Sequence, residues 1–146
     1  MYIFKASSKE EILKHNALEI VLNVLKNEIL DNLEIKFKSL SVIRLLIRNS
    51  TDKTGLDIVF SNENLKCIES IVNANNEHLG IIGESSRLAC YLPLAAKTEQ
   101  RILQFCQMKM INVITKQLKS EYLIMLNEAL LALNILATIN YSNISF

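Results

Sequence analysis

The stretch EYLIMLNEALLALNILATIN, residues 121–140, has helical apolar spacing and contains neither glycine nor proline. Its residues Leu130, Leu133 and Leu136 have counterparts 44 positions earlier, at Ser86, Ala89 and Leu92. A further 46 positions back stand Leu40, Ile43 and Leu46. The helices expected just before each long helix keep the same register, with Leu22/Leu25, Ile68/Ile71 and Ile111/Ile114 at offsets of 46 and then 43. One periodic helix matches another by chance easily. A register held through two helices and three copies is much harder to produce by accident.

A period in the mid-forties, built from two or three helices, is the signature of armadillo and HEAT arrays. The expected fold is therefore all-α, an armadillo-repeat superhelical solenoid of about three stacked repeats. The units fall near 8–50, 51–97 and 98–141. Each unit exposes apolar surface that only its neighbours cover, so stability comes from stacking. The first unit is expected to begin at Ser8 without a first short helix. The last is expected to end at Leu136 and Ile139 with no polar cap after it, as part of a longer array.

Local signals place the elements. Ser8 and Glu11 have capping-box spacing ahead of Leu18, Val21, Leu22 and Leu25. Asp31 and Asn32 form a polar connection before the Ile35–Ile47 helix, and Thr51–Gly55 reads as a loop. Ser61 caps the next helix, and a polar turn is expected over Asn73–Glu77. Leu79 then opens a helix with the sole proline, Pro93, in its last part. Thr98 caps a short helix, Lys119-Ser120 ends another, and Glu121–Asn140 makes the final long helix.

Composition narrows the function. Half of the 146 residues are hydrophobic but only 6% are aromatic, with no Trp, three Gly and one Pro. Hairpin turns are nearly excluded by that count. Sixteen basic against fifteen acidic residues leave a net charge of +1, without the basic excess of a nucleic-acid binder. No secretory signal is visible, and charged or polar residues break every apolar run before the about 18 residues of a membrane span, so no membrane insertion is expected. Cys67, Cys90 and Cys106 have no CxxC spacing and read as reduced, buried thiols of a cytosolic protein.

No catalytic constellation, metal site or cofactor motif emerges. His15 and His78 lie far apart in sequence. Gly80 and Gly83 lack the third glycine and preceding strand of a dinucleotide loop. Ser85 and Ser86 have no nucleophile elbow around them and read as small packing residues.

The informative positions lie on the polar side of each long helix. In the last helix Leu126, Leu130, Leu133 and Ala137 are expected to face the core, leaving Asn127, Leu131, Asn134 and Thr138 opposite. The repeat register maps that stripe to Gly83, Arg87 and Cys90, and to Phe37, Ser41, Arg44 and Arg48. In armadillo arrays this helix lines the concave surface. Ser41, Arg44, Arg48, Arg87, Asn127 and Asn134 are therefore the candidate partner-binding residues. Arg and Asn suit the role because their forked donors satisfy carboxylates and backbone carbonyls.

Three segments carry a family resemblance: Glu34–Leu40 (EIKFKSL), Gly83–Leu88 (GESSRL) and Ser120–Leu130 (SEYLIMLNEAL). Together, in this order and spacing, they resemble the C-terminal part of the SmgGDS-like small-GTPase GDP dissociation stimulators over roughly residues 30–140. The resemblance implies an armadillo protein of the cytosol that binds Ras- and Rho-type GTPases, especially prenylated ones with a polybasic tail. It implies a chaperone and nucleotide exchange factor with no catalytic side chain. Pro93 departs from the family pattern, and a kink or helix end is expected there. The competing expectation is a generic armadillo adaptor binding an extended peptide. The absence of an Asn–Trp ladder weighs against it.

Overall fold

The structure, a computed structural model, describes residues 2–74 and 78–139. Every regular element among them is helical: α1 (Tyr2–Lys14), α2 (Ala17–Lys26), a 3₁₀ turn (Glu28–Leu30), α3 (Leu33–Ile47), α4 (Lys53–Val59), α5 (Asn62–Val72), α6 (Leu79–Ala96), α7 (Glu99–Cys106), α8 (Ile111–Gln117) and α9 (Leu123–Ala137). The all-α expectation is met.

Side-chain caps begin most of these helices, because the first N–H groups of a helix have no partner within it. Asn32 Oδ1 accepts from the N–H groups of Glu34 and Ile35 at 3.0 and 3.1 Å. Asp52 Oδ1 accepts from Gly55 at 3.0 Å, and Thr98 Oγ1 from Arg101 at 3.3 Å. Ser61 caps α5 as its sequence suggests.

Three local expectations change. Ser8 lies inside α1, and the break before α2 falls at Asn16, whose φ of 58° is a left-handed conformation that Asn tolerates. The first long helix is thus preceded by two helices, as the others are. Ser and Glu three apart also share a face in mid-helix, so cap spacing alone misplaced the start. Thr51–Gly55 is not all loop, since α4 begins at Lys53. Gly55 is buried there, and a Cβ on it would stand 2.9 Å from Leu18 Cδ1. α9 is shorter than the expected 121–140 helix, while Asn140, like residues 75–77 of the expected turn, lies outside the described residues.

α6 runs between α3 and α9 and packs against both more extensively than any other helices meet. Beneath them α2, α4, α5, α7 and α8 bury Leu18, Leu22, Leu56, Phe60, Leu65, Ile68, Phe105 and Ile114 against Leu40, Ile43, Ile47, Leu88 and Leu92. Each such side chain contributes about 1.5–3 kcal/mol on leaving water. Arg101 ties α7 to the layer before it, donating to Asp57 Oδ1, Ala96 O and Lys53 O at 2.9, 2.9 and 3.2 Å. Pro93 is buried in α6 and does not end it. The helix runs on to Ala96 and closes at Lys97, with φ 60°.

The core face of α9 differs from the expected one. Ala129, Ala132 and Leu136 are buried, Leu126 and Leu133 are half-buried, and Leu130 and Ala137 are exposed. Only three of its 15 residues are polar, so apolar periodicity points in no single direction. The small Ala129 and Ala132 let α9 approach closely, and the pairing of Glu128, described next, sets its rotation.

Candidate partner-binding groove

The exposed edges of α3, α6 and α9 are joined by a ladder of ion pairs. Arg44 of α3 donates to Glu84 of α6 through Nε (2.7 Å) and Nη2 (3.2 Å). Arg87, one turn after Glu84, donates to Glu128 of α9 through Nη2 (2.7 Å) and Nε (3.1 Å). Arg87 Nη1 also stands 4.0 Å from Glu84, which closes the chain of charges. The Arg44 guanidinium lies 5.6 Å from the centre of the Tyr91 ring, a cation–π contact.

These groups are largely removed from water. Arg44 is 7% exposed and Glu128 is 4% exposed. Charges so placed are tolerated because each guanidinium meets its carboxylate in a two-pronged geometry. The bond to Glu128 outweighs burial in raising the Arg87 pKa above its usual value. Cys90 lies beside this ladder in the core. Desolvation, with a smaller push from Glu128, raises its thiol to about 12.

Above the ladder is an open cavity of about 430 Å³. The turn just after α3 contributes Arg48 and Asn49. α6 contributes Arg87, Tyr91 and Leu94, and α9 contributes Ile124, Asn127 and Leu131. Three candidates read from sequence, Arg48, Arg87 and Asn127, therefore converge on one site. Arg44 sits below it, buried under Tyr91. Half-buried Ser41 and exposed Asn134 lie outside the cavity lining, and Cys90, mapped to the same stripe, is wholly buried.

Glu84, Glu128 and Tyr91 were not among the candidate binding residues read from sequence. A signal for the two acids exists, since Arg44 and Arg87 are 43 positions apart and Glu84 and Glu128 are 44 apart. The acids keep the 44-residue offset of the second and third long helices, whereas the arginines fall three short of the 46 between the first and second. A charge pattern repeating with the core pattern marks a contact between successive long helices.

The fold and groove define an all-helical protein whose long helices lie side by side and present one polar, arginine-lined surface. Among the described residues no helix is long and apolar enough to cross a membrane, and no cluster of His, Cys, Asp or Glu could hold a metal ion. Over 134 residues, 90% of this chain, it is 31% identical to Rap1 GTPase-GDP dissociation stimulator 1-A of Xenopus laevis. It is equally similar to the 1-B form from the same frog. No family model matches the chain. The chain is thus a homologue of part of the GDP dissociation stimulators, as its three resembling segments indicate, and it spans about a fifth of these curated relatives' length.

Proposed function

We propose that this chain is a non-catalytic armadillo module that regulates nucleotide exchange on small GTPases of the Ras and Rho type. The observation that carries the reading is its 31% identity, over nine-tenths of its length, to proteins named for stimulating GDP dissociation from Rap1 GTPase. The succession of two shorter helices and a long one, with the mid-forties register, supports three stacked repeats at 8–50, 51–97 and 98–141, the first extended toward Tyr2 by α1. The convergence of Arg48, Arg87 and Asn127 on one cavity supports the groove as the contact surface.

Such a module needs no reacting side chain. If it binds the nucleotide-free GTPase more tightly than the GDP-bound form, linkage lowers the affinity for GDP by the same factor. The binding energy of the groove is the whole mechanism. Working in the cytosol, it would meet its GTPase in prenylated or unprenylated form.

The test is release of a fluorescent GDP analogue from Rap1 and from a panel of Ras- and Rho-type proteins, prenylated and not. Faster release from one or a few members is expected. No acceleration together with no binding in a pull-down would overturn the proposal.

A further inference from the structure

The groove has a charge surplus that the ladder does not consume. Glu84 and Glu128 are committed to Arg44 and Arg87, and Glu128 is the one carboxylate lining the cavity. Arg48 lines the same cavity with no carboxylate partner among the described residues. Two more cations, also without acidic partners there, converge on the end of α3 that bears Arg48. Lys9 Nζ of α1 donates to the carbonyl of Arg48, and Lys97 Nζ donates to the carbonyl of Ser50 at 2.7 Å.

The negative end of the α3 dipole accounts for the two lysines being held there. Arg48 itself lines the cavity with no acidic partner among the described residues. Burial, with smaller contributions from the cationic Arg48 and Lys97, lowers the Lys9 pKa. Of these three cations only Arg48 lines the cavity, while Lys9 and Lys97 hold the carbonyls of Arg48 and Ser50. The far wall is apolar, with Ile124 62% and Leu131 45% exposed. A basic segment entering this cavity would meet repulsion and no free acid. A carboxylate would pair with Arg48, and an apolar neighbour would cover Ile124 and Leu131.

We infer that the groove receives an acidic-apolar patch on the folded domain of the GTPase, with Arg48 as its anchor, and that it excludes the partner's basic tail. The inference rests on the proposed GTPase-binding function and adds which chemistry of the partner this groove reads.

The experiment measures binding of the full chain to five fluorescent probes: GDP-loaded Rap1, Rap1 lacking its C-terminal tail, a Glu/Leu peptide, a Lys/Leu peptide of equal length and single-stranded DNA. Tail-less Rap1 should bind within about twofold of intact Rap1, and the Glu/Leu peptide should bind while the Lys/Leu peptide does not. Arg48→Glu should weaken both Rap1 forms at least tenfold, and Arg48→Lys should keep most of the affinity. Thermal melts of both variants should match the parent, because the Arg48 side chain is exposed and has no acidic partner among the described residues.

Rap1 binding that requires the tail, or that survives Arg48→Glu, would overturn the inference and leave the GTPase reading standing. Glu/Leu binding without any GTPase binding would overturn the GTPase reading and retain the groove's preference. Single-stranded DNA matching the Glu/Leu peptide would mark a general polyanion site, and would sink the acidic-protein assignment.

Discussion

Arg87 of α6 and Glu128 of α9 face each other as a two-pronged ion pair, with donor–acceptor distances of 2.7 and 3.1 Å. The Glu128 side chain is 5% exposed, so its charge depends on this partner. Removing Arg87 strands a buried carboxylate, which costs about 2–4 kcal/mol. Replacing both residues by apolar ones of similar size, Arg87→Met with Glu128→Leu, should return stability to within about 1 kcal/mol of the parent. Urea denaturation of the two single variants and the double variant measures this. Additive losses would show that the pair is not coupled.

The rotation of α9 has its own test. Leu136 is 3% exposed and Leu130 is 53% exposed, although both fit a helical apolar stripe. Leu136→Ala should cost about 2–4 kcal/mol, whereas Leu130→Ala should stay below about 1 kcal/mol. Thermal or urea unfolding distinguishes them. A reversed order would mean that α9 presents the face expected from its leucines.

Cys90 links the core to pH. Burial pushes its thiol up to about 12, well above the usual cysteine range. Above about pH 9 the unfolded chain loses this proton while the folded chain keeps it. Stability is therefore intact below that pH and falls as pH rises toward 12. The loss at pH 10.5 should reach about 2 kcal/mol, and Cys90→Ala should flatten it. Denaturation at pH 8 and pH 10.5 measures the difference. In the native protein at pH 8 the Cys90 thiol should also resist alkylation until the chain unfolds.

Within the groove, Asn127 lines the cavity while Ser41 and Asn134 do not. Asn127→Ala should weaken GTPase binding several-fold, and Ser41→Ala and Asn134→Ala should leave it within about twofold. Calorimetric titration against Rap1 reads all three. Equal losses would indicate a contact running along the whole helix face.

The cap at Asn32 carries two N–H groups of α3, the helix that supplies Arg44 and leads into Arg48. Asn32→Ala should lower stability by about 1 kcal/mol. A melting curve unchanged from the parent would count against the cap.

Helix content, the long-helix positions and the caps at Ser61 and Thr98 follow from local chemistry, because apolar spacing of 3.6 and capping side chains act within a few residues. The mid-forties register was legible for the same reason, as it repeats in the chain itself. Three groove residues, Arg48, Arg87 and Asn127, were reachable through that register. The break at Asn16 was not, since a left-handed residue is chosen by how α1 and α2 pack. Nor was the face of α9, whose residues are apolar almost all round. That rotation depends on Glu128 reaching Arg87, 41 positions away in sequence and 2.7 Å away in space. The same pairing separates Arg44 and Arg87, held by carboxylates, from Arg48, which has no acidic partner among the described residues. A lone arginine codon distinguishes none of the three, because a charge becomes available or committed only when folding brings its partner within reach.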